Sequence, residues 1–259
     1  MHEKEKQMST TRNILRAGDS FLESFVEDFG SYLDSLDYAF HLQGQIGVPD
    51  LSVLSETEQK RFKSYLFLTN SVNTTTMGAL RLFSSNFYSD AFALLRMIYE
   101  AASLMHYGNK SPQKADEVYR SIFKSGLNEH EHFKGEWALI RKAEGDWEKQ
   151  NADLIPIRQY INNFGAHISR AKIVLGNVTM RGNESIPSIF SDNSRKSEFV
   201  MGLDMLHNLF MMALEEWDKQ AALYVGALPS LRDKILAHTN RFIKEIRPKL
   251  QEKAGIKGK

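Results

Sequence analysis

The sequence predicts an all-α protein, a single helical bundle of about six to eight helices spanning residues 1–259. Apolar side chains recur at steps of three and four over long stretches, which is the spacing of an amphipathic helix. Glycine, proline and capping residues separate these stretches. A chain of 259 residues with 42% hydrophobic and 25% charged residues can bury an ordinary globular core.

The first half of the chain divides into helices at its local stop and start signals. An apolar stripe predicts a long helix over 11–40, and the glycines and proline of 44–50 end it. Ser55 and Glu58 form a capping-box pattern, which opens a second helix that runs to about Leu82. The third helix is the apolar segment 87–107.

Weaker signals divide the middle of the chain. Ser111-Pro112 starts a helix that ends near Lys124, and Asn128 is the predicted cap of the next one. Residues 143–152 are polar and poorly periodic, with Trp147 as the exception. Residues 155–164 form another helix, which ends near Gly165.

An irregular insertion is predicted at 166–194. Its β-branched residues flank the Gly176-Asn177 pair, a pattern that favours a long loop or a small hairpin. A Met- and Leu-rich helix follows over 196–225.

The last helix is predicted to start at about Leu231, with Ser230 and Asp233 as its capping pair. Pro248 is expected to stop or kink it, and residues 249–259 are predicted to be a basic, flexible tail.

Composition excludes several classes of function. The net charge of +1 creates no global field for nucleic acid or membranes, so a nucleic-acid role needs a local basic surface. With no cysteine, disulfides and thiolate metal sites are excluded. Glycine-rich nucleotide motifs are missing, and we expect no cofactor. No signal peptide or membrane-spanning stretch is recognisable, so a cytoplasmic protein with no membrane partner is expected.

The most specific chemical pattern lies in the predicted last helix. Arg232 and His238 are six residues apart, and Asp233 directly follows the arginine. This resembles the Arg-x(4–6)-His motif of HEPN-domain ribonucleases and toxins, over roughly 20 residues. The resemblance implies metal-independent RNA cleavage, in which the histidine handles the proton of the 2′-hydroxyl and the arginine steadies charge on the phosphate. Asp233 would orient the pair.

The same resemblance implies a homodimer, RNA as substrate and an antitoxin or other protein partner in a defence or toxin–antitoxin system. A spacing of six residues on a helix separates Arg232 and His238 by about 120° around the axis. A catalytic site that contains both side chains therefore needs either a bent Arg232 side chain or a residue from a second subunit. The alternative is an ordinary helix, with Arg232 in a surface pair and His238 half-buried. The chain would then be a non-catalytic helical binding or scaffold protein that uses the polar face near Asn70 to Thr76, the Arg96–Glu100 pair or the 166–194 insertion.

Arg96 and Glu100 form a second candidate site, because they lie four residues apart on one face of the apolar third helix. They could be a buried ion pair, ligand anchors or surface residues. The helix, together with the later segment 163–169, also resembles helical bacterial proteins of unknown function. His167 lies where a helix meets a loop, and is either a capping or a binding residue.

No metal site is expected. His130 and His132 alternate with glutamates, but residues two apart on a helix point in different directions. The chain also lacks His-Glu-x-x-His and facing carboxylate repeats.

Overall fold

The computed structural model confirms an all-α bundle. It describes residues 2–123, 129–163, 178–181, 184–187, 196–226 and 229–253. The helices are α1 (His2–Gly44), α2 (Glu56–Ser84), α3 (Tyr88–Asn109), α4 (Pro112–Phe123), α5 (Glu129–Gln150), α6 (Leu154–Ile161), α7 (Lys196–Val225), α8 (Pro229–Arg241) and α9 (Arg247–Lys253). A 3₁₀ turn, Leu51–Val53, precedes α2, and a π-helical segment, Phe242–Ile246, joins α8 to α9.

Helices α2, α3 and α7 pack against one another at the centre. The antiparallel pair α2–α3 is joined by a tight turn in which Asn86 adopts a φ of 67°. Helices α4, α5 and α6 pack on α3, whereas α1 and α8 pack on each other and on α7. The core consists mainly of tyrosine, phenylalanine and leucine side chains, among them Tyr32, Tyr65, Tyr99, Phe92, Phe210 and Leu95.

The predicted start of α2 is confirmed. Ser55 accepts a hydrogen bond from the amide of Glu58, and the Glu58 carboxylate accepts one from the amide of Ser55. This reciprocal pair satisfies two amides that have no partner within the helix. The boundary is therefore encoded locally in the sequence.

Residues 143–150, polar and poorly periodic in the sequence, are helical. Helix α5 continues through this stretch, with Ala143 and Trp147 buried against α3. These two residues are four apart and lie on one face, so burial against a distant helix compensates for the weak local pattern.

The insertion contains a small hairpin, as the sequence predicts. Its antiparallel strands are β1 (Val178–Arg181) and β2 (Glu184–Pro187), and Arg181 is opposite Glu184. Both strands follow Gly176-Asn177, so this pair is not the hairpin turn. Residues 166–177, with His167, and the predicted cap Asn128 lie outside the described part of the chain.

The last helix differs from its prediction at both ends. It begins at Pro229, so Ser230 lies inside its first turn and is not the N-cap. It also continues past Pro248 to Lys253. The amide of Arg247 donates to the carbonyl of Phe242, five residues back, and this wider turn makes room for the proline ring. Thus the first five residues of the predicted tail are helical.

Within the described ranges, no helix combines the length and the apolar character that crossing a bilayer requires.

Candidate functional site

Arg232 and His238 face different parts of the bundle. Arg232 and Asp233 are exposed, and both line a cavity of about 180 Å³ between α7 and α8. His238 is 5% exposed and points toward α1 and α7. The structure therefore does not bring the guanidinium and the imidazole of one chain to a common site.

The surroundings of Arg232 are acidic. Glu215 and Asp218, both on α7, line the same cavity as Arg232. Burial raises the pKa of each carboxyl group, and the positive charges of Arg232 and Lys219 act in the opposite direction. An anionic phosphate at Arg232 would have to compete with these carboxylates.

His238 belongs to a buried polar cluster that the sequence did not indicate. Its Nε2 is 3.3 Å from Nε2 of His207 on α7 and 3.4 Å from Oγ of Ser35 on α1. Ser35 Oγ is also 3.3 Å from His207 Nε2. Three helices therefore contribute one polar atom each to a single point in the core.

Burial holds both imidazoles neutral near pH 7. The pKa of His207 falls to about 3 because the ring is buried, with further lowering by His238 and Arg247. The pKa of His238 is lowered by burial and by Arg241, while Ser35 opposes the shift. A neutral imidazole has one nitrogen lone pair free to accept a proton or bind a cation.

Aromatic rings enclose this cluster. Phe242 stacks on the His207 ring with centroids 3.5 Å apart and planes within 5°. Tyr38 lies 5.0 Å from the His238 ring and is 42% exposed. The cluster is thus one side chain away from solvent on the Tyr38 side.

Arg96 and Glu100 are paired, and the pair is part of a larger network. Arg96 Nε donates to Glu100 Oε1 over 2.7 Å, and the guanidinium also contacts Glu144 on α5. Burial raises the pKa of both glutamates, and Arg96 opposes the shift. The network connects α3 to α5, which agrees with the expected buried ion pair.

The outward face of α2 is unusual because it is uncharged over several turns. Phe67, Asn70, Thr74 and Met77 are exposed at steps of three and four, and Phe67 and Met77 are each 54% exposed. The Thr74 hydroxyl donates to the carbonyls of Asn70 and Ser71, so it is already bonded within the helix.

Phe123 of α4 extends this surface. Its ring packs edge-to-face on Phe67 with centroids 5.7 Å apart, and it is 42% exposed. We call these five residues, Phe67, Asn70, Thr74, Met77 and Phe123, the α2 surface.

A second cavity, of about 500 Å³, lies where α1, α2, α7 and α9 meet. Aromatic rings form much of its wall, and Phe25 and Phe29 stack there with centroids 5.3 Å apart. The Lys253 ammonium at its edge is 3.1 Å from Asp28, so this cation is paired. The cavity is large enough for a small apolar ligand.

No protein-family model matches the chain, and no curated protein or solved structure matches it at a significant level. The HEPN resemblance therefore depends on the Arg232–His238 pattern alone and stays a prediction.

Sequence reasoning missed Ser35 and His207. His207 interrupts the apolar stripe of α7 between Leu203 and Phe210, and a histidine at a core position is a signal of a buried polar contact. Its partners could not be read from the sequence, because Ser35 is 172 residues away.

Proposed function

We propose that this chain is a non-catalytic helical binding protein that docks a protein partner on the α2 surface. The observation that carries the proposal is the exposure of Phe67 and Met77 on a stretch of helix without a charged side chain. Large exposed apolar side chains that adjoin one another, as those of Phe67 and Phe123 do, are typical of interaction surfaces. Scattered single ones need no such explanation.

The chemistry of the α2 surface defines the partner. Apolar anchors separated by about three turns of helix suit a partner that presents an apolar, uncharged face. Lys60, Lys63 and Arg81 flank the α2 surface on the same side of the helix, but Lys60 is paired with Glu56 and Arg81 with Asp19. A partner with an acidic residue beside its apolar face could pair with Lys63.

The test compares matched charge insertions on two exposed surfaces. Phe67→Lys, the α2 variant, places one charge on the α2 surface, and Leu223→Lys, at a residue that is 72% exposed on α7, places one elsewhere as the control. Partners are captured from the source cells with the wild-type chain and with each variant. We expect one partner to be retained by wild type and control but lost by the α2 variant.

Two outcomes would contradict the proposal. One is a partner that binds all three proteins equally. The other is a wild-type dimer in solution that the α2 variant converts to a monomer, because the α2 surface would then join two copies of the chain.

A second candidate function, metal-independent RNA cleavage in a HEPN-like homodimer, is suggested by the spacing of Arg232 and His238 on α8. Since Arg232 and His238 diverge within one chain, a site would need residues from two copies. Incubation with RNA in EDTA should then leave 2′,3′-cyclic phosphate ends. Undiminished cleavage by His238→Ala would rule this candidate out.

A further inference from the structure

Ser35, His207 and His238 form a triangle of three contacts that at most two hydrogens serve. The serine hydroxyl supplies one, and only one of the two facing Nε2 atoms can carry another without placing two N–H groups head to head. The hydroxyl can donate to one Nε2 and accept from the other, so all three atoms are bonded. The contact between the two Nε2 atoms has no hydrogen of its own, and both imidazoles meet at the point where Ser35 Oγ also lies.

The three distances are longer than the usual hydrogen bond and nearly equal. They are 3.3, 3.3 and 3.4 Å, whereas N–H···N and N–H···O bonds centre near about 3.0 Å. A tetrahedral zinc ion with bonds of about 2.05 Å has ligand atoms about 3.3 Å apart. The cluster therefore has the shape of one face of a tetrahedral coordination sphere.

We propose that His207 Nε2, His238 Nε2 and Ser35 Oγ bind a late first-row transition-metal ion such as Zn²⁺. Imidazole nitrogens are preferred ligands for such ions, and here each is supplied by a different helix. Sequence reasoning expected no metal because it considered histidines that are close in the chain, such as His130 and His132. No group of three or more His, Cys, Asp or Glu side chains converges in the described residues. The third protein ligand of the proposed site is therefore a hydroxyl, that of Ser35.

The electrostatics of the site favour an anion at the fourth coordination position of the metal ion. All three ligands are neutral when bound, and the positive charges of Arg247 and Arg241 act on the imidazoles of His207 and His238. A divalent ion would therefore keep its charge in a buried place beside other cations. A hydroxide or another small anion at the fourth position would lower that charge, and it could enter beside Tyr38, which is 42% exposed. Binding at Nε2 also puts the hydrogen of His207 on Nδ1, which has no acceptor. Both features predict moderate affinity.

The first measurement is Zn²⁺ binding to the full chain without an affinity tag, by calorimetry and by metal analysis after dialysis. Wild type is expected to bind a single ion. His207→Gln and His238→Gln should each weaken binding at least about tenfold. His41→Gln, which removes an exposed histidine of α1, is the matched control and should bind like wild type.

The second measurement uses Co²⁺, and its main result, the coordination number in the wild-type chain, does not depend on the folding of a variant. Four-coordinate cobalt absorbs visible light far more strongly than six-coordinate cobalt, and Ser35→Ala should change the band positions. Wild type that binds no metal, histidine variants that bind as tightly as wild type, or a six-coordinate spectrum would each overturn the proposal. None of these variants alters the α2 surface.

Discussion

Acid should destabilise this protein in part through one buried carboxylate, Glu216 of α7. The residue is 4% exposed. Its Oε1 is 3.0 Å from Nδ1 of His106 and 2.7 Å from the Lys219 ammonium, and its Oε2 accepts from Asn109 over 2.7 Å. Burial alone would raise the pKa of Glu216, but these partners outweigh it and lower the pKa from 4.5 to about 2.

The sign and size of the effect follow from this shift. Because the pKa is lower in the folded chain, the ionised group stabilises the fold above pH 4.5, and that contribution is lost as the pH falls toward about 2. The full pKa difference of Glu216 corresponds to about 3 kcal/mol in the free energy of unfolding. About 2 kcal/mol of this stabilisation should be lost by about pH 3.

Urea unfolding of wild type and Glu216→Gln at a series of pH values measures this contribution. The variant should be less stable at neutral pH, and the gap should narrow by about 2 kcal/mol between about pH 7 and about pH 3. Glu252→Gln, which removes an exposed carboxylate of α9, controls for the loss of one negative charge. Parallel curves for wild type and Glu216→Gln across the whole range would refute the reasoning.

Further substitutions test the packing, the capping and the ion network, each by its free energy of unfolding. Gly202→Ala places a methyl group 2.4 Å from Phe83 Cζ and should destabilise by about 1–3 kcal/mol, whereas Gly145→Ala in α5 meets no atom within 4 Å and should be neutral or stabilising by up to about 1 kcal/mol. Ser55→Ala removes the α2 cap and should cost about 0.5–2 kcal/mol, so an unchanged stability would contradict the capping role. Arg96→Leu leaves Glu144 buried without its cation and should cost about 3–5 kcal/mol, and adding Glu144→Leu should recover part of the loss.

The elements that the sequence predicted well are those with local signals. Ser55 and Glu58 mark the start of α2 within four residues, and α7 was predicted over 196–225, where it lies. The end of α5 and the passage of the last helix through Pro248 were missed for physical reasons. Burial of Trp147 against another helix and a π-helical turn before a proline are not visible in a local pattern.

The candidate site was harder to predict because its geometry is made by distant segments. The spacing of Arg232 and His238 predicted correctly that they diverge around the helix, but not what each would meet. The acids opposite Arg232 lie on α7, and the partners of His238 lie on α1 and α7. Contacts between helices, rather than the pattern along one of them, decide whether such a pair can act together.

Experiments at His238 can separate the metal-binding proposal from the RNA-cleavage proposal. The lone pair of Nε2 cannot bind a metal ion and accept a proton at the same time. A metal held at Nε2 would prevent that nitrogen from taking a proton from a ribose hydroxyl, so zinc should inhibit any RNA cleavage that depends on His238. His207→Gln distinguishes the roles further, because His207 belongs to the metal cluster but not to the Arg232–His238 motif. Loss of zinc binding in His207→Gln, with no ribonuclease activity in any variant, would leave His238 as a metal ligand. Cleavage that survives in His207→Gln and disappears in His238→Ala would instead identify it as a proton carrier.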